Sequence, residues 1–152
     1  MPVFKDFNEL KAAVGTDVGV SDWVEVTQER ITQFAEATGD NQWIHVDVER
    51  AERESPMGTT IAHGLLTLSF APLFVRSVVR VDGLKNTLNY GANRVRYVTP
   101  VPAGSRLRGR VKVVAADDAP SGGLRVTYGL TIELDGSERP ACVAEVIGVH
   151  YR

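Results

Sequence analysis

Residues 27–69 read TQERITQFAEATGDNQWIHVDVERAERESPMGTTIAHGLLTLS, and the rest of the predicted fold is organised around this stretch. Thr27 stands where a helix N-cap belongs, and apolar residues then recur every three or four positions, which is typical of a helix with one buried stripe. Gly39 suits the end of that helix because glycine adopts positive φ without a Cβ penalty. Asp40 therefore follows a helix end, and His45 lies five residues later, in a short break before the next helical pattern.

Two further helices are predicted after His45. Asp47 can cap a short helix over residues 48–54, which Ser55 and Pro56 end. A longer, central helix is predicted over residues 62–79, and apolar side chains occupy most of its positions. A helix apolar nearly all round is expected to be buried on every side. Pro72 lies inside this helix, where proline is expected to kink the helix or to cost a backbone hydrogen bond, and the sequence offers no reason for it.

The second half of the chain changes to a period of two, which is typical of strands. Strands are predicted over residues 87–98, 106–116, 124–134 and 141–150. Turn residues at 120–123 and 135–137 join consecutive strands, which predicts antiparallel pairing. A short helix over residues 4–14 and a short strand over residues 18–26 precede this part. The prediction is a single α+β domain over residues 1–152, with a curved antiparallel sheet around the central helix.

Composition limits the class of protein. The 152 residues suffice for one domain with a core, and 43% hydrophobic and 24% charged residues are ordinary for a soluble globular protein. A net charge of −2 gives no electrostatic argument for a nucleic-acid or membrane partner. The first residues include acids and no long apolar run, so no signal peptide is predicted. The single cysteine, Cys142, excludes an internal disulfide and favours the cytoplasm, and it is expected in the core.

Asp40 and His45 are the candidate catalytic pair. A carboxylate and an imidazole that converge on one point can hold a water molecule and move its proton in either direction. The alternative is that Asp40 caps a turn and His45 is a buried structural histidine. His63 and Gly64 open the central helix, where a free backbone N–H and the helix dipole suit a developing oxyanion. The alternative for Gly64 is close packing alone.

Other candidate groups are weaker. The three histidines are isolated in sequence, so no metal site is predicted, and no phosphate-binding loop or nucleophile elbow is present. Basic residues alternate along one predicted strand at Arg106, Arg108, Arg110 and Lys112. They are interpreted as a solvated strand face rather than as a phosphate-binding site.

Three motifs resemble those of the MaoC-like dehydratases, the (R)-specific enoyl-CoA hydratases of hot-dog fold. Residues 37–47 read ATGDNQWIHVD and residues 61–66 read IAHGLL, against a family signature of roughly G-D-x-N-P-L-H-x-D followed by a helix that opens with A-H-G. Residues 94–104, RVRYVTPVPAG, resemble the family's R-F-x-x-P-V-x-x-G-D strand and turn. The resemblance extends over about residues 20–150.

The resemblance implies roles for particular residues. Asp40 and His45 fall on the family's catalytic aspartate and histidine, and Gly64 falls on the glycine whose N–H binds the thioester oxygen. Gln42 stands at the usual asparagine and keeps an amide that can bind substrate, whereas Trp43 replaces a proline and alters the loop. His63 is expected to orient the start of the helix by hydrogen bonding rather than to react.

The activity that the resemblance implies is reversible addition of water to a trans-2-enoyl-CoA, giving an (R)-3-hydroxyacyl-CoA, with no cofactor. A homodimer is expected because family members usually pair their sheets. Two alternatives stay open. One is a hot-dog acyl-CoA thioesterase, in which the water attacks the carbonyl carbon; the other is a non-catalytic hot-dog subunit of a dehydratase heterodimer. Retention of both Asp40 and His45 argues against the second.

Overall fold

The helices and strands follow the order that the sequence periodicity predicts. The computed structural model describes residues 2–152. In chain order the elements are β1 (Val3–Phe4), α1 (Phe7–Ala12), β2 (Asp17–Val20), β3 (Val24–Glu25), α2 (Gln28–Thr38), α3 (Trp43–Val46), α4 (Val48–Glu54), α5 (Gly64–Ser69), α6 (Ala71–Val78), β4 (Arg80–Val81), β5 (Asn86–Tyr97), β6 (Arg106–Ala119), β7 (Gly123–Leu134) and β8 (Cys142–Tyr151). A 3₁₀ turn at Pro120–Gly122 joins β6 to β7.

One antiparallel sheet of six strands is the largest element of the structure. Its strand order is β2-β6-β7-β8-β5, with β3 also paired to β6, so β5 lies at an edge beside β8. The predicted pairing of β6 with β7 and of β7 with β8 is confirmed. The alternation predicted for β7 is also confirmed, since its apolar side chains from Leu124 to Leu134 are all buried. The predicted α+β class is therefore correct.

The N-terminal elements differ from the prediction in their bounds. The strand predicted over residues 18–26 is divided into β2 and β3, because Ser21 lies between them and its Oγ accepts a hydrogen bond from the Gly109 N–H of β6. The first helix begins later than predicted because Asp6 caps it, accepting from the N–H groups of Asn8 and Glu9. The residues before that cap form β1, which pairs in parallel with β4.

The central helix is not continuous, and the break explains Pro72. Instead of one helix over residues 62–79, α5 ends at Ser69 and α6 begins at Ala71, with Phe70 between them. Pro72 is thus in the first turn of α6, where a backbone N–H has no partner within the helix, so its absence costs little. The prediction of a single helix over residues 62–79 is wrong, and Pro72, at which a kink was one expectation, was the signal for its division.

The divided central helix is buried on one side only. Leu66 and Phe74 belong to the buried core under the sheet. Leu65, in contrast, is 61% exposed, and Leu73 is also exposed, so the expectation of burial on every side is wrong. No helix within residues 2–152 is long and apolar enough to cross a membrane.

Candidate active site

Asp40 follows directly on the end of α2, as predicted. Thr27 Oγ1 accepts a hydrogen bond from the Arg30 N–H and caps the start of the helix. Gly39 has φ of 80°, and its N–H donates to the Ala35 carbonyl oxygen, which closes the helix. The chain then leaves helical geometry at Asp40, so its carboxylate stands at a fixed point beyond a helix end.

His45 lies on α3, a helix of four residues that was predicted only as a break. Its Nδ1 is 2.7 Å from the carbonyl oxygen of Ile61. A carbonyl oxygen only accepts, so Nδ1 carries the hydrogen. In the neutral ring Nε2 is then the nitrogen with the free lone pair, which is the arrangement required of a base. The residue is 6% exposed.

Asp40, His45 and His63 form one group, named here the loop cluster. One carboxylate oxygen and one ring nitrogen from each histidine all lie within 4.8 Å of one another. His63 Nε2 donates to the backbone oxygen of Asp40 at 2.8 Å, and its ring stacks on the His45 ring with centroids 3.8 Å apart. His63 therefore holds both members of the predicted pair. Both histidines are buried, and Asp40 is the more exposed member.

The loop cluster is poorly arranged to chelate a metal ion. A metal binds imidazole nitrogen in the plane of the ring. The two ring planes are only 24° from parallel and are stacked, so their nitrogens point alongside each other rather than at a common ion. His63 Nε2 is also committed to the Asp40 oxygen. The geometry favours proton transfer over metal binding.

Gly64 is the first residue of α5, immediately after His63. A Cβ atom at this position would lie 2.8 Å from Cδ2 of Tyr97, which is too close for any side chain. The glycine therefore allows β5 to approach the helix start. Within residues 2–152 the Gly64 N–H has no hydrogen-bond acceptor, as is usual in the first turn of a helix. Both interpretations of this glycine, close packing and a free donor, are compatible with the structure.

Similarity to known proteins extends over most of the chain. A family model described as "MaoC like domain" matches residues 9–131. The 3-hydroxyacyl-thioester dehydratase Z of Mycobacterium tuberculosis strain H37Rv is 49% identical over 147 residues, which cover 97% of each protein. The chain belongs to the MaoC-like dehydratase family. The predicted family is confirmed, and so at that level is the enzyme class, a hydro-lyase.

Solved structures show the same fold. The (R)-hydratase of A. caviae involved in PHA biosynthesis matches 89% of this chain and 94% of its own, with a TM-score of 0.70 at 23% identity. The HadBC complex, a (3R)-hydroxyacyl-ACP dehydratase from Mycobacterium tuberculosis, matches 90% of this chain and 96% of its own, with a TM-score of 0.68 at 20% identity. The hot-dog fold implied by the MaoC-like motifs is therefore confirmed.

The two departures from the family signature have different surroundings. Gln42 precedes α3, its side chain is exposed, and it makes no capping hydrogen bond. Its amide is thus available to another molecule. Trp43 begins α3, and the Arg50 guanidinium lies 4.2 Å from its ring centroid. The bulk of the tryptophan is accommodated by this contact with α4.

Hydrogen bonds that hold the backbone at His45 were not predicted from the sequence. Gln28 Nε2 donates to the His45 backbone oxygen at 2.8 Å, and Gln28 Oε1 accepts from the buried hydroxyl of Thr60. The Ile61 N–H donates to the Ile44 oxygen at 3.0 Å, which joins the two segments again. These partners are 16 to 32 residues apart in sequence, so no local pattern signals them.

The remaining candidates have the structural roles expected of them. Cys142 is fully buried in the core, and burial raises the pKa of its thiol to about 11. The basic residues of β6 form a partly exposed face with ion pairs, since Arg108 and Arg110 both contact Glu133. Burial alone would raise the pKa of Glu133, but hydrogen bonds from these two arginines lower it. His150, the third histidine, lies elsewhere, in the wall of a cavity.

Proposed function

We propose that this MaoC-like protein catalyses the reversible hydration of trans-2-enoyl-CoA to (R)-3-hydroxyacyl-CoA. The observation that carries the proposal is the loop cluster, in which an accessible carboxylate and the ring nitrogen of a buried histidine lie within 4.8 Å of each other. Two such groups can bind one water molecule between them. The family membership supports a dehydratase, and the 49% identical relative is named for 3-hydroxyacyl-thioesters.

The reaction needs one proton removed from water and one delivered to carbon. In our proposal Asp40 and His45 bind the water; its oxygen forms a bond to Cβ of the enoyl group while Cα receives a proton. The Ile61 carbonyl fixes the His45 tautomer, so that Nε2 is the reacting nitrogen. Either residue can act as the base in this scheme, with the other as the acid; the acid is protonated before the step, gives its proton to Cα, and then regains a proton from the base, which has taken one from water.

Charge develops on the thioester oxygen as the new bond forms. We assign its stabilisation to the Gly64 N–H, which lacks an acceptor within residues 2–152 and lies at the N-terminus of α5. His63 positions the site through its hydrogen bond to the Asp40 backbone and its stacking on His45. Gln42 follows Asp40 by two residues, and its side-chain amide makes no capping hydrogen bond. We assign this amide to substrate binding.

The acyl chain has a matching cavity. A cavity of about 640 Å³ lies between the exposed side of α5–α6 and the strands β5 and β8, and Leu65, the residue after Gly64, is part of its lining. Its lining is largely apolar, with Leu68, Val75 and Val146 among the side chains. We assign this cavity to the acyl group, because a thioester held at Gly64 would direct its chain into it.

The proposed quaternary structure is a homodimer formed through β5. This strand is at the sheet edge, and large apolar side chains on it, Leu88, Tyr90 and Tyr97, are exposed. An exposed, long edge strand of this kind pairs readily with another strand. A second copy of the chain would cover it and extend the sheet. The expected cytoplasmic location stays a prediction.

The test is an assay with a short trans-2-enoyl-CoA. The conjugated double bond should disappear without release of free thiol, and a dehydrogenase specific for (R)-3-hydroxyacyl-CoA should oxidise the product. A substrate whose thioester oxygen is hydrogen-bonded to the Gly64 N–H presents one face of its double bond to the bound water, so one stereoisomer is expected. Free CoA formed at the rate of substrate loss would instead indicate a thioesterase. No reaction with any chain length would favour the non-catalytic subunit.

A further inference from the structure

A group of polar side chains lies in the wall of the apolar cavity, far along it from the loop cluster. His150 Nδ1 is 2.7 Å from Thr87 Oγ1, and His150 Nε2 is 2.8 Å from Tyr128 Oη. All three residues line the cavity. They are named here the cavity cluster. The reaction proposed above makes no use of them.

The cavity cluster is neutral. His150 is 5% exposed and Tyr128 is 2% exposed. Burial lowers the pKa of His150 to about 4, so its imidazole carries no charge near pH 7. Burial also raises the pKa of Tyr128 well above its ordinary value. The cluster therefore suits a neutral hydrogen-bonding partner and not an anion or a cation.

The number of hydrogen atoms in the cavity cluster decides whether it can donate a hydrogen bond to a ligand. A neutral imidazole has one N–H and one lone pair, so the chain of bonds runs in one direction or the other. If Tyr128 donates to Nε2, then Nδ1–H donates to Thr87 and the Thr87 hydroxyl hydrogen is left over. If Thr87 donates to Nδ1, then Nε2–H donates to Tyr128 and the phenolic hydrogen is left over. In either direction one O–H remains to donate.

Space is kept open beside this donor. Val146, Gly148 and His150 alternate along β8 and all line the cavity. A Cβ atom on Gly148 would lie 3.1 Å from Thr87 Cγ2 and 3.9 Å from His150 Cε1. Any side chain here would occupy the cavity next to the cluster. The glycine therefore leaves room for an atom of a ligand.

We propose that the cavity cluster is a specificity site that donates a hydrogen bond to a keto oxygen carried near the far end of the substrate's acyl chain. The inference rests on the proposed hydratase function, since it takes the cavity as the acyl site. Tyr97 of β5 packs against Gly64, and Thr87 of the cavity cluster lies ten residues away on the same strand, so a rise of about 3.3 Å per residue separates them by about 30 Å along the strand. The keto group would thus be remote from the reacting double bond.

The first experiment compares pairs of trans-2-enoyl-CoAs of equal chain length. One member of each pair ends in a plain alkyl chain, and the other carries a keto group one carbon from its end. Among the longer chains, kcat/KM should be about tenfold higher for the keto member, the effect of one neutral hydrogen bond. Short pairs should show no preference, because their chains do not reach the cluster.

A pair of matched variants assigns the preference to the cluster. In Gly148→Ala the added methyl group fills the space beside the donor, so the ratio of keto to alkyl kcat/KM should fall to about one. In Gly129→Ala the added methyl group lies equally close, 3.1 Å, to a neighbouring side chain, but Gly129 does not line the cavity, so the ratio should stay as in the unchanged protein. Because each ratio is taken within one variant, a general loss of activity does not affect it.

A measurement on the unchanged protein covers the case in which Gly148→Ala does not fold. The chain has three histidines, so the ring-nitrogen NMR signals of His150 can be distinguished. A saturated keto-acyl-CoA of the favoured length should change the proportions of the two His150 tautomers, whereas the alkyl analogue should leave them unaltered.

The outcomes separate this inference from the proposed function. Hydration of alkyl substrates with a keto-to-alkyl ratio near one at every length, or identical His150 signals with both ligands, would overturn the inference alone. A tenfold preference that persists in Gly148→Ala would also overturn it. Failure to hydrate any enoyl-CoA would overturn the hydratase proposal, and the NMR titration would then still report whether the cavity binds a keto-acyl chain.

Discussion

The loop cluster and the cavity cluster both contain histidine, but they differ in how fully their polar atoms are bonded. In the cavity cluster, both ring nitrogens of His150 have hydrogen-bond partners within the protein. In the loop cluster, His63 Nδ1 is buried and has no partner within residues 2–152. The loop cluster also contains an accessible acid, Asp40, whereas the cavity cluster has none.

This difference separates two uses of one side chain. A histidine that exchanges protons with a substrate needs one nitrogen held and the other free, and His45 has this arrangement. A histidine bonded at both nitrogens in a buried site loses its tendency to protonate and is suited to recognition. The environment, rather than the residue type, therefore decides between the roles that we assign to His45 and His150.

The largest expected effect is loss of turnover on neutralising the pair in the loop cluster. Asp40→Asn keeps the shape of the side chain but cannot accept a proton, so kcat should fall by about 10²–10⁴-fold with little change in KM. His45→Gln should behave alike. The double variant should be little slower than either single one, because the two residues act on one water.

Asp47→Asn is the matched control for Asp40→Asn. Asp47 lies in the same segment and caps α4 by accepting from the Arg50 N–H, a role that asparagine also fills. Steady-state kinetics of the four variants with one short enoyl-CoA provide the test. Near-normal kcat in either single variant would remove that residue from the mechanism.

Within the loop cluster, the pairing of Asp40 with His45 was predictable because the two residues lie close together in the sequence. Asp40 and His45 are separated by five residues, and the helix-end signals at Thr27 and Gly39 place them on irregular backbone. The supporting contacts were not predictable. Gln28 reaches the His45 backbone only after α2 and α3 pack together, and no local periodicity encodes that packing.

The cavity cluster was beyond sequence analysis for a related reason. Its members come from three strands, and Thr87 and His150 are 63 residues apart. The strands themselves were predicted, but their order was not, and only the pairing of β5 with β8 brings these two residues together. For the division of the central helix at Phe70, in contrast, the sequence does contain the signal, which is Pro72. The signal could be interpreted only once the start of α6 was known, because proline in a first helical turn marks the beginning of a new helix.

A smaller effect is expected from changes at Gly64, the glycine beside the loop cluster. Gly64→Ala keeps the N–H but adds a Cβ atom against Tyr97, whereas Gly64→Pro adds a similar carbon and removes the N–H. Proline is tolerated in the first turn of a helix. The proline variant should therefore have a kcat about 10²-fold below that of the alanine variant, the effect of one oxyanion donor.

Both Gly64 variants need a check of folding by circular dichroism and thermal unfolding, because both crowd Tyr97. The comparison between them, rather than with the unchanged protein, isolates the donor. Equal kcat values in two folded variants would show that the oxyanion is bound elsewhere and that the glycine is needed only for close packing.

The smallest expected effect concerns stability and the buried His150. Its pKa is about 4 in the folded protein, against an ordinary value of 6.5, so the unfolded chain takes up this proton first as the pH falls. Folding stability is then lost as the pH falls below 6.5, and the loss from this group ends near pH 4, where both states are protonated. Between pH 7 and pH 5 the loss of folding stability is about 2 kcal/mol.

Urea unfolding of the unchanged protein and of His150→Gln, at one protein concentration, measures this loss, since every other titratable group is common to both. The unchanged protein should lose about 2 kcal/mol more than the variant over this range. Equal losses would show that His150 is not held neutral by burial, and the contrast between the two clusters would then rest on hydrogen bonding alone.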